Sequence, residues 1–249
     1  SNKKAAEIAV MMGEDPSPYI TEAEKIFKAL NETLWMPGNG WYAEFKDALG
    51  NKLLHSYPAV WTLYHIMDSE VADPFQAYQS MRYIDTEIPH IPVRAEGLDD
   101  KGYYTISTTS WMPYIWSLND VANAESMHTI LANWQAGRND EAFRMFKSEI
   151  LAYMYLGGSP GNVGQISHYS VNERYRDFAD PVGMFSRALV EGLFGIMPDA
   201  LKDTLTIRPG IPSDWDHASF STPDISFIFK KEGGSDHYTV TQNLPEKLN

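Results

Sequence analysis

Gly102-Tyr-Tyr-Thr-Ile-Ser-Thr-Thr-Ser-Trp-Met-Pro-Tyr-Ile-Trp-Ser-Leu-Asn119 runs directly into a stretch, 119–136, whose apolar residues recur at helical spacing. The segment crowds Tyr103, Tyr104, Trp111, Tyr114 and Trp116 at the entrance of a helix and intersperses them with Ser, Thr and Asn. Ring faces stack on apolar C–H surfaces, while hydroxyls and amides satisfy polar groups, so the combination suits a sugar ring. For any single ring the competing reading is a hydrophobic staple ahead of a core helix. For the cluster as a whole, the reading is a binding floor.

Outward from this segment, helical spacing dominates up to about residue 200 and predicts a mostly α body. Thr21 and Glu24 fit a capping box ahead of Ala23, Ile26, Phe27, Leu30 and Leu34, and Pro37-Gly38-Asn39-Gly40 stops that helix. Trp41 to Asp47 and Lys52 to Leu54, around Gly50-Asn51, read as a short β-hairpin. Further helices are expected over Ala59–Met67, Pro74–Asp85, Asn119–Ala136, Asp140–Tyr155 and Pro181–Gly195, with Gly137 ending one and Asp140 capping the next. Beyond residue 200 the pattern alternates at Leu205–Pro209, Ile225–Lys230 and His237–Thr241, with a turn at Gly233-Gly234. Pro209, Pro212 and Trp215 mark an irregular crossover between these strands. The expected organisation is a helical domain over 1–200 and a small β module over 201–249.

Composition narrows the partners. The 249 residues are 43% hydrophobic, enough for a sizeable core, and the formal net charge is −13 with Lys and Arg scattered. That balance offers no electrostatic footprint for nucleic acid or anionic lipid and favours a neutral or cationic small molecule, or a glycan. There is no cysteine, hence neither a disulfide framework nor a thiolate metal site. No run of eighteen apolar residues occurs, so membrane insertion is not expected, and the first residues, lacking an apolar signal region, read as a cut end.

Four segments, in this order, resemble the six-hairpin glycosidase superfamily. They are Leu34-Trp35 through Gly40-Trp41-Tyr42-Ala-Glu44-Phe45; Gly102-Tyr103-Tyr104 through Asn119; Gly137 through Phe143; and Glu173 through Gly195 with Ile207 through Trp215. The chain looks similar to uncharacterised glycan-utilisation proteins of gut bacteria within that group. The resemblance implies a partial (α/α)6 toroid of helix hairpins with a C-terminal β appendage. Seven countable helices against the twelve of a full barrel make it the C-terminal half, with the other half or a second copy as complement. It further implies glycosidic-bond hydrolysis, an oligosaccharide or polysaccharide substrate, no cofactor, and a periplasmic or secreted location.

Glycoside cleavage needs two carboxyl groups, one protonated and one ionised. By resemblance Glu173 takes the role of general base, with Asp177 and Asp180 as further catalytic candidates. Where related hydrolases continue Asn/Tyr-Asp-Pro-x-x-Gly, this chain has Arg174-Tyr175-Arg176-Asp177. The two arginines would hold Glu173 ionised. An Arg–carboxylate network fixing a loop, and an N-cap at Asp180, are the competing readings. Trp41, Tyr42 and Glu44 in the hairpin, Tyr103, Tyr104, Trp111, Tyr114, Trp116 and Asn119 in the aromatic segment, and Arg174 are the substrate-binding candidates; helix capping competes at Asn119, and strand exposure at Glu44. The Ser-Gly-Trp-Asp type segment that supplies the acid in related barrels has no counterpart, which places the acid outside this chain. A glycan-binding or scaffolding domain without chemistry is the alternative, and an epimerase or lyase the third reading.

Other chemistries lack their motifs. The seven histidines are dispersed without metal-ligand spacing. Gly157-Gly158-Ser-Pro-Gly161-Asn-Val-Gly164 lacks the Gly-Lys-Ser/Thr ending of a phosphate loop, and no Gly-x-Ser-x-Gly elbow occurs.

Overall fold

The computed structural model of this chain describes residues 1–94, 96–97, 99–111, 120–156, 166–168, 173–174, 180–245 and 248–249, with backbone only at 120, 166–168, 173–174 and 180. Helices α1 (Asn2–Met12) and α2 (Ser17–Thr33) lead into two hairpins, β1 (Trp35–Met36) with β2 (Trp41–Tyr42) and β3 (Phe45–Lys46) with β4 (Leu54–His55). Helices α3 (Val60–Asp68), α4 (Pro74–Met81) and α5 (Tyr83–Thr86) precede a third hairpin of β5 (His90–Pro92) and β6 (Tyr104–Ile106). Strand β7 (Asp120–Ala122) opens helix α6 (Asn123–Gln135), followed by α7 (Asn139–Glu149), which continues as a π-helix over Ile150–Leu156. Strand β8 (Ile166–His168) pairs back onto β7, and β9 (Glu173–Arg174) pairs onto β8. Helix α8 (Asp180–Arg187) also ends in a π-helix, Ala188–Leu193. The hairpin of β10 (Ile196–Asp199) and β11 (Thr204–Ile207) leads to the antiparallel sheet β12 (His217–Ser221), β13 (Ile225–Glu232) and β14 (Ser235–Gln242).

Local chemistry sets the element ends. Asp73 and Gln76 form a reciprocal capping box on α4, Gln76 N donating to Asp73 Oδ1 at 2.8 Å and Asp73 N to Gln76 Oε1 at 2.9 Å, with Pro74 as the first helical residue. Gly137 adopts the left-handed conformation, φ 77°, after α6, and its N–H and that of Arg138 close onto the carbonyls of Trp134 and Asn133.

Helix α6 organises the core. Met127, Ile130, Leu131, Ala132 and Trp134 are all buried, and so are Asn123, Ser126, Thr129 and Asn133 on its other faces. A helix buried all round must satisfy its polar side chains internally. Thr129 Oγ1 donates to Glu125 O at 2.8 Å, and Asn133 Nδ2 to Thr129 O at 3.1 Å. Arg138 Nη1 donates to Asn133 Oδ1 at 2.8 Å while its Nη2 pairs with Asp85 at 2.6 Å. Helices α3, α7 and α8 pack around α6.

At the end of α6, Trp134 is clasped by two glycines. A Cβ at Gly192 would lie 2.2 Å from Trp134 Cε3, and one at Gly210 would lie 2.3 Å from Cδ1. Trp134 Nε1 donates to Gly210 O at 3.0 Å. Gly210 belongs to the segment feeding the C-terminal sheet, so the clasp ties that sheet to the helices. Phe194 completes the seam, stacking on Phe220 at 5.0 Å and meeting Phe227 edge-on at 5.7 Å. Along β13 the buried residues alternate, Ile225, Phe227 and Phe229, as the sequence pattern predicts. The same hydrophobic cluster contains these residues and the interior of the helices, so the 1–200 and 201–249 segments share one core.

The mostly α partial toroid is overturned. The chain is 45% helical and 21% strand, and several small antiparallel sheets are distributed between the helices in a mixed α/β fold. Five of the strands before residue 100 are two or three residues long, too short to display an alternating pattern. With the toroid falls the inference, from seven helices against twelve, that a barrel half is missing. Other expectations shift locally. Helix α2 begins at Ser17, which puts Thr21 and Glu24 inside it rather than at a capping box, and Ile26 and Phe27 are exposed while Leu30 and Leu34 pack on the core. The helix expected from Asn119 begins at Asn123, after a strand. Asp140 does not cap α7; it accepts from Ser213 N at 2.8 Å and Ser213 Oγ at 2.9 Å.

Gly192→Ala tests the clasp. Alanine would gain about 1 kcal/mol in helix propensity, but its methyl group must displace an indole fixed on its other side by Gly210, an overpacking cost of about 1–3 kcal/mol or more. Urea denaturation is expected to show net destabilisation for Gly192→Ala and a change within about 0.5 kcal/mol for Gly38→Ala, where a Cβ would meet nothing within 4 Å. Equal midpoints for the two variants would show that the indole is not tightly held.

Candidate functional site

The site begins with a long hairpin connection. Val93 N donates to Tyr103 O at 2.9 Å, closing the β5–β6 ladder below the loop 94–102. Asp100 shapes the loop, accepting from Gly102 N at 3.0 Å and pairing with Arg94 at 3.7 Å, and Gly102 takes a left-handed φ of 69°. Successive side chains then point to opposite faces. Tyr104 goes inward, where it stacks on His90 at 3.9 Å and donates its hydroxyl to Glu141, with the Arg144 guanidinium 5.3 Å over its ring. Burial, and next the Glu141 carboxylate, push the Tyr104 hydroxyl well above its ordinary pKa. Tyr103 goes outward and stays half-buried.

The facing wall is the end of α7 and its π-helical continuation. Lys147, Ile150, Leu151 and Tyr155, at spacing i, i+3, i+4, i+8, face the loop, which contributes Gly97, Asp99, Lys101 and Tyr103. Between them lies an open cleft of about 420 Å³, within the roughly 300–1,000 Å³ of small-molecule sites. Lys147 Nζ sits 5.7 Å from the Tyr103 ring centre and 4.9 Å from that of Phe143, so two aromatic faces position one ammonium. Tyr155 is 73% exposed at the rim.

On the opposite side of the same helix Glu149 is 1% exposed. Its Oε2 accepts from Asn123 Nδ2 at 2.7 Å, and Asn123 Oδ1 is buried with no partner among the described residues. Burial pushes the Glu149 carboxyl up to about 8, outweighing the hydrogen bonds of Asn123 and Ser126 that pull it down. The buried group is therefore a neutral acid at pH 7. It faces away from the cleft, where α7 packs on α6.

No protein-family model and no curated protein matches this sequence. Of the sequence-predicted residues, Tyr103 lines the cleft and Trp111 is 44% exposed. Tyr104 is core. Trp41, Tyr42 and Glu44 hold the neighbouring scaffold: Trp41 Nε1 donates to Ser56 O at 2.8 Å, and Tyr42 is fully buried with its hydroxyl 2.7 Å from Asn31 Oδ1. Glu44 accepts from Ala59 N at 2.7 Å, Trp61 Nε1 at 2.9 Å and Thr62 Oγ1 at 2.6 Å, so its carboxylate caps α3 from outside the helix where Ala59 cannot. Glu173 and Arg174 lie on β9, opposite Ser167 and Ile166 of β8, and Asp180 is the first residue of α8. Tyr114, Trp116, Asn119 and Asp177 lie outside the described residues. Asp99, Lys101, Lys147 and Tyr155 were missed, although the stripe from Lys147 to Tyr155 is visible at helical spacing. Among the described residues, no group of three or more His, Asp or Glu could hold a metal ion, and no helix is long and apolar enough to cross a membrane.

The neutral Glu149 sets a pH dependence. Below its ordinary value of 4.5 the carboxyl is protonated whether the chain is folded or unfolded, and the burial costs nothing extra. Between there and about 8 the unfolded chain ionises while the folded one does not, so stability falls as pH rises and then levels off. Glu149→Gln keeps the shape and removes the titration. Thermal melts from about pH 5 to pH 8 are expected to show a shallower loss for Glu149→Gln, and a higher Tm than the parent at pH 8. Parallel profiles for the two proteins would mean that Glu149 ionises normally.

Proposed function

We propose that this chain is a carbohydrate-processing protein that binds a saccharide in the cleft between the 94–103 loop and the α7 π-helix. The observation that carries the reading is the pairing of Tyr103 and Tyr155, two aromatic rings on facing walls, with ammonium and carboxylate groups at Lys101, Lys147 and Asp99. Rings supply stacking surface for sugar C–H faces, and the charged groups hydrogen-bond hydroxyls. The resemblance of the Gly102–Asn119 segment to the six-hairpin glycosidases points the same way.

The cleft favours binding over hydrolysis as its own contribution. Glycoside cleavage needs two carboxyl groups flanking the bond, and among the described residues Asp99 is the single carboxylate lining the cleft. Glu44 is committed to three donors and Glu149 is buried, so neither can approach a sugar there. Turnover by this chain would draw on Glu173, Asp177 or Asp180.

Calorimetric titration against an oligosaccharide panel tests the reading. Tyr103→Ala and Tyr155→Ala are each expected to weaken the saccharide found to bind by about tenfold, roughly 1.4 kcal/mol of stacking and apolar contact. Tyr155, at the rim, can be removed without moving Tm. A bound saccharide insensitive to both changes would place binding elsewhere.

A further inference from the structure

The charges of the cleft run against those of the chain. The protein carries a formal net charge of −13, yet the cleft presents two ammoniums, Lys101 and Lys147, against one carboxylate, Asp99. Neither lysine has a carboxylate within 4.0 Å among the described residues, whereas all four lysines of α1 and α2 do: Lys3 pairs with Glu70, Lys4 with Glu7 and Asp199, Lys25 with Glu22, and Lys28 with Glu32. The second acidic residue of the loop, Asp100, is turned to Arg94 and to the Gly102 amide. Lys147 is moreover held over Tyr103 and Phe143, which fixes its ammonium beside the ring available for stacking. An aromatic face with unpaired cations beside it recognises a ring that carries an anion.

We infer that the cleft takes an acidic saccharide, one whose carboxylate or sulfate group is held by Lys101 and Lys147 while a sugar ring lies on Tyr103. The inference rests on the carbohydrate reading of this cleft and narrows its ligand class. Both anion types offer the same acceptor oxygens to an ammonium, and charge-assisted contacts are stronger than the neutral ones a sugar hydroxyl makes. Both lysines are exposed, so replacing them leaves the core intact.

The test compares oligogalacturonate with its methyl ester, which keeps the rings and removes the charge, and with a sulfated and an unsulfated glucose oligosaccharide. Binding is measured by calorimetry for the parent, Lys101→Met, Lys147→Met and the double variant. The expected result is at least a tenfold preference for the acid, or for the sulfate ester, over its neutral counterpart. That preference should weaken as salt rises from about 50 to 500 mM and collapse in the double variant. Which of the two acidic ligands binds distinguishes carboxylate from sulfate recognition. Equal binding of acid and neutral forms, lost in Tyr103→Ala, would overturn the charge inference and leave the carbohydrate reading standing. Preference for the acid that survives in the double variant would overturn the assignment to these lysines. No binding of any saccharide would overturn both readings.

Discussion

The indole of Trp134 is the contact on which the rest of the architecture depends. It closes the end of the central helix α6, and the absence of side chains at Gly192 and Gly210 lets two backbone segments approach it from α8 and from the crossover to the C-terminal sheet. Its N–H is satisfied by Gly210 O, so burial leaves no unpaid donor. Its edge also meets Phe146 at 5.6 Å, which fixes the inner face of α7. Because α7 is rigidly seated through Ala142, Met145 and Phe146, its outer face can present Lys147, Ile150, Leu151 and Tyr155 at set positions. The cleft is thus placed by packing that begins on the far side of the helix.

The π-helical continuation of α7 adds a second constraint. Such segments cluster at functional sites because the wider turn changes which residues share a face. Here the change follows Glu149, a buried neutral acid hydrogen-bonded to Asn123, so the transition occurs where the helix is anchored by a polar contact. Glu44 does comparable work at α3: three donors converge on one carboxylate, and the helix start is fixed by a residue fifteen positions upstream.

Most long elements are legible in the sequence, helix α1 excepted, and most short strands are not, the hairpin of β3 and β4 excepted. The helices at 60–68, 74–81, 123–135 and 139–149 follow the 3.6-residue spacing that the sequence displays, and β13 follows alternation over eight residues. The strands at 90–92, 104–106 and 120–122 span three residues each, too few for any period to register, and counting helices without them led to a toroid. The site divides the same way. Tyr103 was legible as an aromatic ring beside polar residues, but nothing in the sequence separates it from Tyr104, whose inward direction is set by the β6 register with β5. Glu44 looked like a subsite carboxylate because its three donors come from residues 59–62, a tertiary contact. Lys101 and Lys147 became conspicuous only when folding brought the 94–102 loop against α7, forty-six positions away in the chain for the two lysines.

The central claim is that a saccharide is bound between the 94–103 loop and the π-helix of α7. Amide hydrogen exchange of the intact chain, with and without saturating oligogalacturonate, tests it most directly. Slowed exchange is expected at residues 93–103 and 147–156 alone, on both walls of the cleft. Slowed exchange at 35–62 or 166–187 instead, with these two segments unchanged, would contradict it.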